Sequence, residues 1–99
     1  MSRIIKHNQG MELEFEDINT WEDFELIANI LENKVHAVAS KKLDGPYSRY
    51  WNFNFKNHSF ELRHDDFEGN SIKVNERSDA NILFLDDLAN KIIIEYKNH

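Results

Sequence analysis

Hydrophobic and polar residues alternate most regularly in the middle of the chain, between Tyr47 and Val74. In residues 50–55 large apolar rings alternate with asparagines, which is the two-residue period of a half-buried strand. The same alternation returns in residues 59–63 and 71–75. Joined by short polar connections, these three segments predict an antiparallel meander with one apolar face.

Two helices are predicted to cover that face. Apolar residues recur every three or four positions over residues 21–32, directly after Thr20, whose hydroxyl suits a helix N-cap. A second stripe of this spacing follows Ser78 and reaches Tyr96. Residues 92–96 are rich in β-branched side chains, so a strand is the alternative prediction for this segment. The spacing favours the helix.

The remaining segments complete the expected fold. Residues 11–16 alternate between apolar residues and glutamates and predict a strand, while residues 1–10 predict a frayed end or a short edge strand. Residues 35–40 predict a weaker strand, and residues 43–46 predict a turn. The order β-α-β-β-β-β-α indicates a single α+β domain over residues 1–99. We expect a two-layer sandwich, an antiparallel sheet of four to five strands with two helices on one face.

The net charge of −6 is distributed unevenly along the chain. Residues 11–33 hold eight acids and no Lys or Arg, whereas residues 34–56 hold five basic residues and one acid. Residues 57–99 hold nine acids and five bases. Most of such a surface repels a phosphate backbone and attracts a basic protein.

Composition also limits the chemistry and the cellular location. The chain contains no Cys, which excludes a disulfide framework, a thiolate nucleophile and a Cys-based zinc site. Its longest apolar runs are far below the roughly 18 residues that cross a bilayer, and its first residues lack the apolar run of a secretory signal. We therefore expect a cytoplasmic protein that does not enter the membrane.

No pattern in the sequence specifies a catalytic, metal or cofactor site. The acidic turn at residues 65–69 lacks the ligand spacing of a calcium loop. Asp44 with Glu61 and Arg63 is only a short match to the metal-binding acids and basic residue of restriction-type nucleases. None of the five histidines has His-x-x-x-His spacing, and His64 falls on the apolar phase of its strand, as a structural histidine would. We expect a protein that is not an enzyme and needs no cofactor.

Carboxylates and two tyrosines are the candidate binding groups. Glu12, Glu14 and Glu16 would lie about 7 Å apart along one side of a strand and repel one another, and a docked cationic surface would relieve that repulsion. An ordinary solvated strand face explains the same row equally well. Tyr47 and Tyr50 are out of phase with the rings expected in the core, and exposed tyrosines are enriched at protein interfaces.

In length, acidity, mixed α+β layout and lack of a catalytic signature, the chain resembles the small immunity proteins that protect bacteria from contact-dependent growth-inhibition or colicin-type toxins. The resemblance implies a stoichiometric inhibitor that binds a toxin domain, often a nuclease with a basic cleft, using carboxylates in place of substrate phosphates. It transfers no family residue onto a position of this sequence.

The leading hypothesis is an acidic protein-binding module, an immunity protein that neutralises a basic, nuclease-type toxin domain by stoichiometric binding. The predicted partner-binding residues are Glu12, Glu14, Glu16, Asp17, Glu22, Asp23, Tyr47, Tyr50, Asp65, Asp66 and Glu68. The alternative is a single-stranded nucleic-acid-binding domain that uses the aromatic and basic residues between Lys34 and Lys56. A third hypothesis is a homodimer that pairs its edge strands.

Overall fold

The computed structural model describes residues 2–7 and 10–98, which form one antiparallel sheet and two helices. The strands are β1 (Ser2–His7), β2 (Gly10–Phe15), β3 (Val38–Asp44), β4 (Ser48–Phe55), β5 (His58–Asp65) and β6 (Gly69–Val74). The helices are α1 (Trp21–Ile30), which continues as a π-helical turn over Leu31–Val35, and α2 (Asp79–Lys97).

The strands lie in the order β1-β2-β6-β5-β4-β3, so the last strand of the meander returns beside β2. The predicted α+β fold with an antiparallel sheet is confirmed. The sheet has six strands, one more than the upper number expected, because the first residues form the edge strand β1. This is one of the two outcomes expected for residues 1–10.

The hydrophobic core lies between one face of the sheet and the two helices. Its central side chains come from alternate positions of the four inner strands and from one stripe of each helix: Leu13, Phe15, Phe53, Phe60, Leu62, Ile72, Phe24, Ile27, Leu85, Leu88 and Ile92. The opposite sheet face, here called the outer face, carries mostly polar side chains. This division follows from the two-residue period of the strands.

Both helices begin where the sequence predicts. Thr20 Oγ1 accepts a hydrogen bond from the Asp23 amide (3.0 Å), and Asp23 Oδ2 accepts one from the Thr20 amide (3.2 Å), which together form a capping box. Ser78 Oγ accepts from the Asn81 amide at 3.1 Å. Helix α2 runs to Lys97, so the helical prediction for its last turns is confirmed and the strand alternative is wrong.

The strand predicted over residues 35–40 is misplaced. Val35 ends the π-helical turn and His36 takes a left-handed conformation (φ 68°), so β3 begins only at Val38. β3 also includes Leu43 and Asp44, which the sequence assigned to a turn. The reason is that β3 is an edge strand with mostly exposed side chains, and no apolar alternation marks such a strand.

Candidate partner-binding site

Three connections meet at one end of the sheet. They are the β2–α1 loop (residues 16–20), the β3–β4 turn (residues 45–47) and the β5–β6 turn (residues 66–68). Antiparallel pairing brings them together, because Asp65 lies opposite both Ser48 and Gly69. We call this region the acidic end and define it by six carboxylates and two rings: Glu16, Asp17, Glu22, Asp65, Asp66, Glu68, Tyr47 and Phe67.

Buried polar contacts hold these connections against one another. Asn70 Nδ2 donates to the carbonyl oxygens of Ile18 (2.8 Å) and Thr20 (3.1 Å), which ties β6 to the loop before α1. The Asp66 amide donates to the Tyr47 carbonyl at 3.0 Å, which ties the β5–β6 turn to the β3–β4 turn. The acidic end is therefore a fixed surface made of three segments distant in sequence.

Gly69 is required where two of these segments meet. It has a φ of +84°, which side-chain-bearing residues rarely adopt, and a Cβ built on it would lie 2.6 Å from Asn19 Oδ1. A side chain here would push the β5–β6 turn away from the β2–α1 loop.

His64 lies beneath the acidic end with 2% of its surface exposed. Its Nδ1 is 2.7 Å from Asn70 Oδ1, its Nε2 is 2.8 Å from Asp66 Oδ1, and the Trp21 ring packs edge-on at 5.3 Å. The prediction of a structural histidine is confirmed, and an oxygen acceptor lies within hydrogen-bond distance of each ring nitrogen. Through it, the carboxylate of Asp66 is fixed to the core.

The β5–β6 turn presents an aromatic ring to solvent. Asp65 Oδ1 accepts the amides of Phe67 (2.8 Å) and Glu68 (3.2 Å), which stabilises the turn. Phe67 at the tip is 93% exposed, and Tyr47 of the adjacent turn is 67% exposed. A large ring exposed this far, beside a second ring and several acids, is typical of an interaction surface.

Phe67 was not among the predicted partner-binding residues. It belongs to a turn, where no strand or helix period shows whether a ring is buried. The available signal was a single aromatic residue inside the run Asp65–Gly69, because a tight polar turn offers no path to the core.

The carboxylate row of β2 is less available than the sequence suggests. Glu12 is only 9% exposed, accepts a hydrogen bond from Ser71 Oγ (2.5 Å) and lies 3.4 Å from Arg63 Nη1. Glu14 is half-buried and Glu16 is exposed. Each of the three has a partner within the chain.

Neighbouring strands compensate the charge of this row. Lys73 lies directly across from Glu12 on one side and from Glu61 on the other, and Arg63 is the next basic residue of the outer face. Opposite charges on adjacent strands offset the repulsion that the sequence argument assigned to a docked partner. The row therefore carries less weight as evidence for a partner than the acidic end does.

Tyr50 also lies on the outer face and is half-buried. The Arg63 guanidinium lies 5.1 Å from its ring centroid. A small cavity of about 40 Å³ beside this pair is lined by predicted residues of β2 and of the β5–β6 hairpin: Glu12, Glu14, Asp65 and Glu68. The structure thus brings the outer-face part of the predicted set together around Arg63, next to the acidic end.

Glu22 and Asp23 have different surroundings at the start of α1. Glu22 is exposed, whereas Asp23 caps the helix and accepts a hydrogen bond from the Tyr96 hydroxyl at 3.0 Å. That hydrogen bond, with burial and the charge of Asp23, raises the pKa of Tyr96 above its usual 10.0. Asp23 is therefore occupied by contacts that join α1 to α2.

The rings that suggested a base-stacking sheet lie elsewhere. Phe53 is fully buried, and Trp51 and Phe55 pack against the same core under the helices. Tyr50 is the aromatic residue that β4 and β5 place on the outer face. The prediction that the odd-numbered rings form the core is confirmed.

The three residues that matched a nuclease motif do not form a common site. Asp44 pairs with Arg49 (Nε to Oδ1, 2.9 Å), whereas Glu61 lies on the outer face beside Arg63. Hydrogen bonds from Arg49 and then Trp51 lower the pKa of Asp44 below its usual 3.8. Across residues 10–98 no group of three or more His, Asp or Glu side chains is arranged to hold a metal ion.

Within the described part of the chain, neither helix has the length and apolar character needed to cross a membrane. Comparison of the chain with protein-family models, with curated proteins and with solved structures finds no match.

Proposed function

We propose that this chain is an acidic, non-enzymatic protein-binding module that neutralises a basic, nuclease-type toxin domain by forming a stoichiometric complex with it. The observation that carries the proposal is the acidic end, where the exposed rings of Phe67 and Tyr47 stand among carboxylates. Rings supply apolar contact area, and the acids around them select a basic partner.

The charges of this surface suit a nuclease-type partner. A nuclease cleft is lined by cations that bind phosphates, and carboxylates on a fixed surface can take the place of those phosphates. Glu16, Asp17, Glu22 and Glu68 are exposed. Because three segments are tied together beneath them, few residues need ordering when the partner binds, which favours affinity.

The test first looks in the reading frame upstream of this chain for a secreted protein with a variable C-terminal domain, and then pairs the purified chain with that domain. We expect a one-to-one complex in sedimentation, loss of the domain's nuclease activity on stoichiometric addition, and survival of cells that express both. A domain that stays fully active with excess chain would contradict the proposal.

A second titration separates this function from nucleic-acid binding. A fluorescently labelled single strand is added to the chain at low and at moderate salt. Tight binding that weakens steeply with salt would contradict an acidic protein-binding module and favour a nucleic-acid-binding domain.

A further inference from the structure

A second surface beside the acidic end is built from one stripe of α1 and the strand beneath it. Residues at one face of α1 and two side chains of β4 line an open cleft of about 380 Å³. We call it the Trp51 cleft and define it by its lining: Glu25, Ala28, Asn29, Glu32, Arg49 and Trp51. It follows one face of α1 from Glu25 to Glu32, and Asp44 of β3 contacts two of its lining residues, Arg49 and Trp51.

The inner wall of the cleft is a fixed cation. The buried guanidinium of Arg49 lies 4.6 to 4.8 Å from the ring centroids of Trp51, Phe24 and Trp21. Its Nε donates to Asp44 and its Nη1 lies 3.2 Å from Glu25 Oε1. Trp51 Nε1 donates to the same Asp44 oxygen at 2.7 Å, so this arrangement holds the Trp51 ring in place, while the Glu25 side chain stays largely exposed at the rim.

A second, loosely held cation occupies the mouth of the cleft. Lys42 Nζ lies 4.2 Å from the Trp51 ring centroid and 3.7 Å from Glu32 Oε1. The side chains of Lys42 and Glu32 are 47% and 40% exposed, and ion pairs of such exposure contribute little stability. The position of Lys42 therefore indicates that a cationic group fits the cleft, and its weak contacts allow it to be displaced.

We propose that the Trp51 cleft binds an arginine or lysine side chain of the partner protein, which displaces Lys42 from the Trp51 ring. The inference rests on the proposed function only for the source of that side chain. Three carboxylates, on Glu25, Glu32 and Asp44, surround the cations Arg49 and Lys42. When Lys42 swings into water the cleft lacks one positive charge, and an incoming basic group replaces it.

The chemistry of the cleft favours a guanidinium over other ligands. A planar guanidinium stacks on an indole and donates to carboxylates at the same time. An anion would meet Glu25 and Glu32, and an apolar side chain would strip water from both without pairing them. The occupant that satisfies ring and carboxylates together is a basic side chain.

The test uses a tetra-arginine peptide and the fluorescence of Trp51. A Trp21→Phe background leaves Trp51 as the single tryptophan of the chain. Addition of the peptide should change its emission to a saturating value. Lys42→Gln in this background should then bind the peptide about three- to tenfold more tightly, because an internal competitor is removed.

Lys41→Gln is the matched control for charge. Lys41 is the preceding residue of the same strand and lies opposite Asn52 on the outer face, so its loss changes net charge equally without touching the cleft. We expect Lys41→Gln to bind with an affinity within about twofold of the parent. Equal tightening by Lys41→Gln and Lys42→Gln, or an unchanged Trp51 emission, would overturn the assignment.

A third variant checks the carboxylate, and the peptide separates this inference from the proposed function. Glu32→Gln should weaken peptide binding about threefold or more. No toxin domain takes part in these titrations. Failure of the toxin complex with an intact Lys42 effect would refute the proposed function alone, and the reverse result would refute the cleft alone.

Discussion

His64 and Asn70 form a 2.7 Å hydrogen bond between two side chains that are almost completely buried. The Nδ2 group of Asn70 also donates to the backbone carbonyls of Ile18 and Thr20, in the loop before α1. The acidic end therefore depends on a small polar network inside an otherwise apolar core.

Asn70→Ala should destabilise the fold by about 2 to 4 kcal/mol. The substitution leaves the buried Ile18 carbonyl and one histidine nitrogen without this partner, whereas the Thr20 carbonyl keeps the Phe24 amide. Each unsatisfied group costs roughly 1 to 3 kcal/mol, less where water enters. Urea unfolding measures the change. Asn75→Ala, at an exposed position just beyond the same strand, is the control and should change the unfolding free energy by less than about 0.5 kcal/mol. Equal effects would contradict the network.

Glu12→Gln should cost about 1.5 kcal/mol of unfolding free energy, whereas Glu16→Gln should be close to neutral. Glu12 accepts from Ser71 in a nearly buried site, and hydrogen bonds to charged groups contribute roughly 1.5 to 3 kcal/mol. Glu16 is exposed. Thermal or urea unfolding of the two variants separates the structural role of Glu12 from the surface role of Glu16. Equal unfolding free energies for Glu12→Gln and Glu16→Gln would contradict the structural role of Glu12.

Protonation of Asp44 should lower the stability of the fold in acid. Its pKa is lower in the folded chain than the usual 3.8, so the unfolded chain binds more protons as the pH falls through and below that value. Stability from this group is present above about pH 4 and is lost below it. Asp44→Asn should flatten the decline of the urea midpoint between neutral pH and the acid limit. Asp86→Asn, on the exposed side of α2, should keep the parent slope, and an unflattened Asp44→Asn would contradict the Arg49 contact.

Deprotonation of Tyr96 should lower the stability of the fold in alkali. The hydrogen bond to Asp23 raises the pKa of Tyr96 above 10.0, so the folded chain holds the proton longer than the unfolded chain. The stability that this hydrogen bond contributes is fully present below pH 10 and is lost as the pH rises through the pKa that Tyr96 has in the folded chain. Tyr96→Phe should remove this dependence, and Tyr47→Phe should leave it unchanged. The absorbance of tyrosinate during titration checks the assignment.

The alternation in β2, β4, β5 and β6 was visible in the sequence because each of these strands has one buried and one polar face. The edge strand β3 was misplaced because Lys41, Lys42 and Leu43 are all exposed, which removes the period. The compensation of Glu12 depends on residues 51 and 59 positions away, so it follows only from the strand register.

The sequence identified some of the residues that form the acidic end. The acids of residues 16–22 and 65–68 were identified from composition, and the structure brings them to one end of the sheet. Phe67 was missed because the exposure of a ring in a turn depends on the turn geometry that Asp65 sets. The Trp51 cleft was missed because it joins α1 to β4, and their contact has no signature in local sequence.

Exposed rings should matter more for complex formation than exposed apolar residues elsewhere. Phe67→Ser should weaken the proposed complex with a toxin domain about tenfold or more, as expected for an interface anchor. Leu83→Ser, which removes a similarly exposed apolar group from α2, should leave the affinity within about twofold. Equal affinities of the two variants would place the contact elsewhere on the molecule.

The most direct test of the central claim compares Glu68→Lys with Glu76→Lys in binding to the proposed basic partner, a nuclease-type toxin domain. Both acids are exposed and flank β6 at its opposite ends. Because each variant replaces one Glu with one Lys, the two variants carry the same net charge. We predict that Glu68→Lys raises the Kd about tenfold or more and that Glu76→Lys changes it by less than about twofold. Equal Kd values for the two variants would contradict binding through the acidic end.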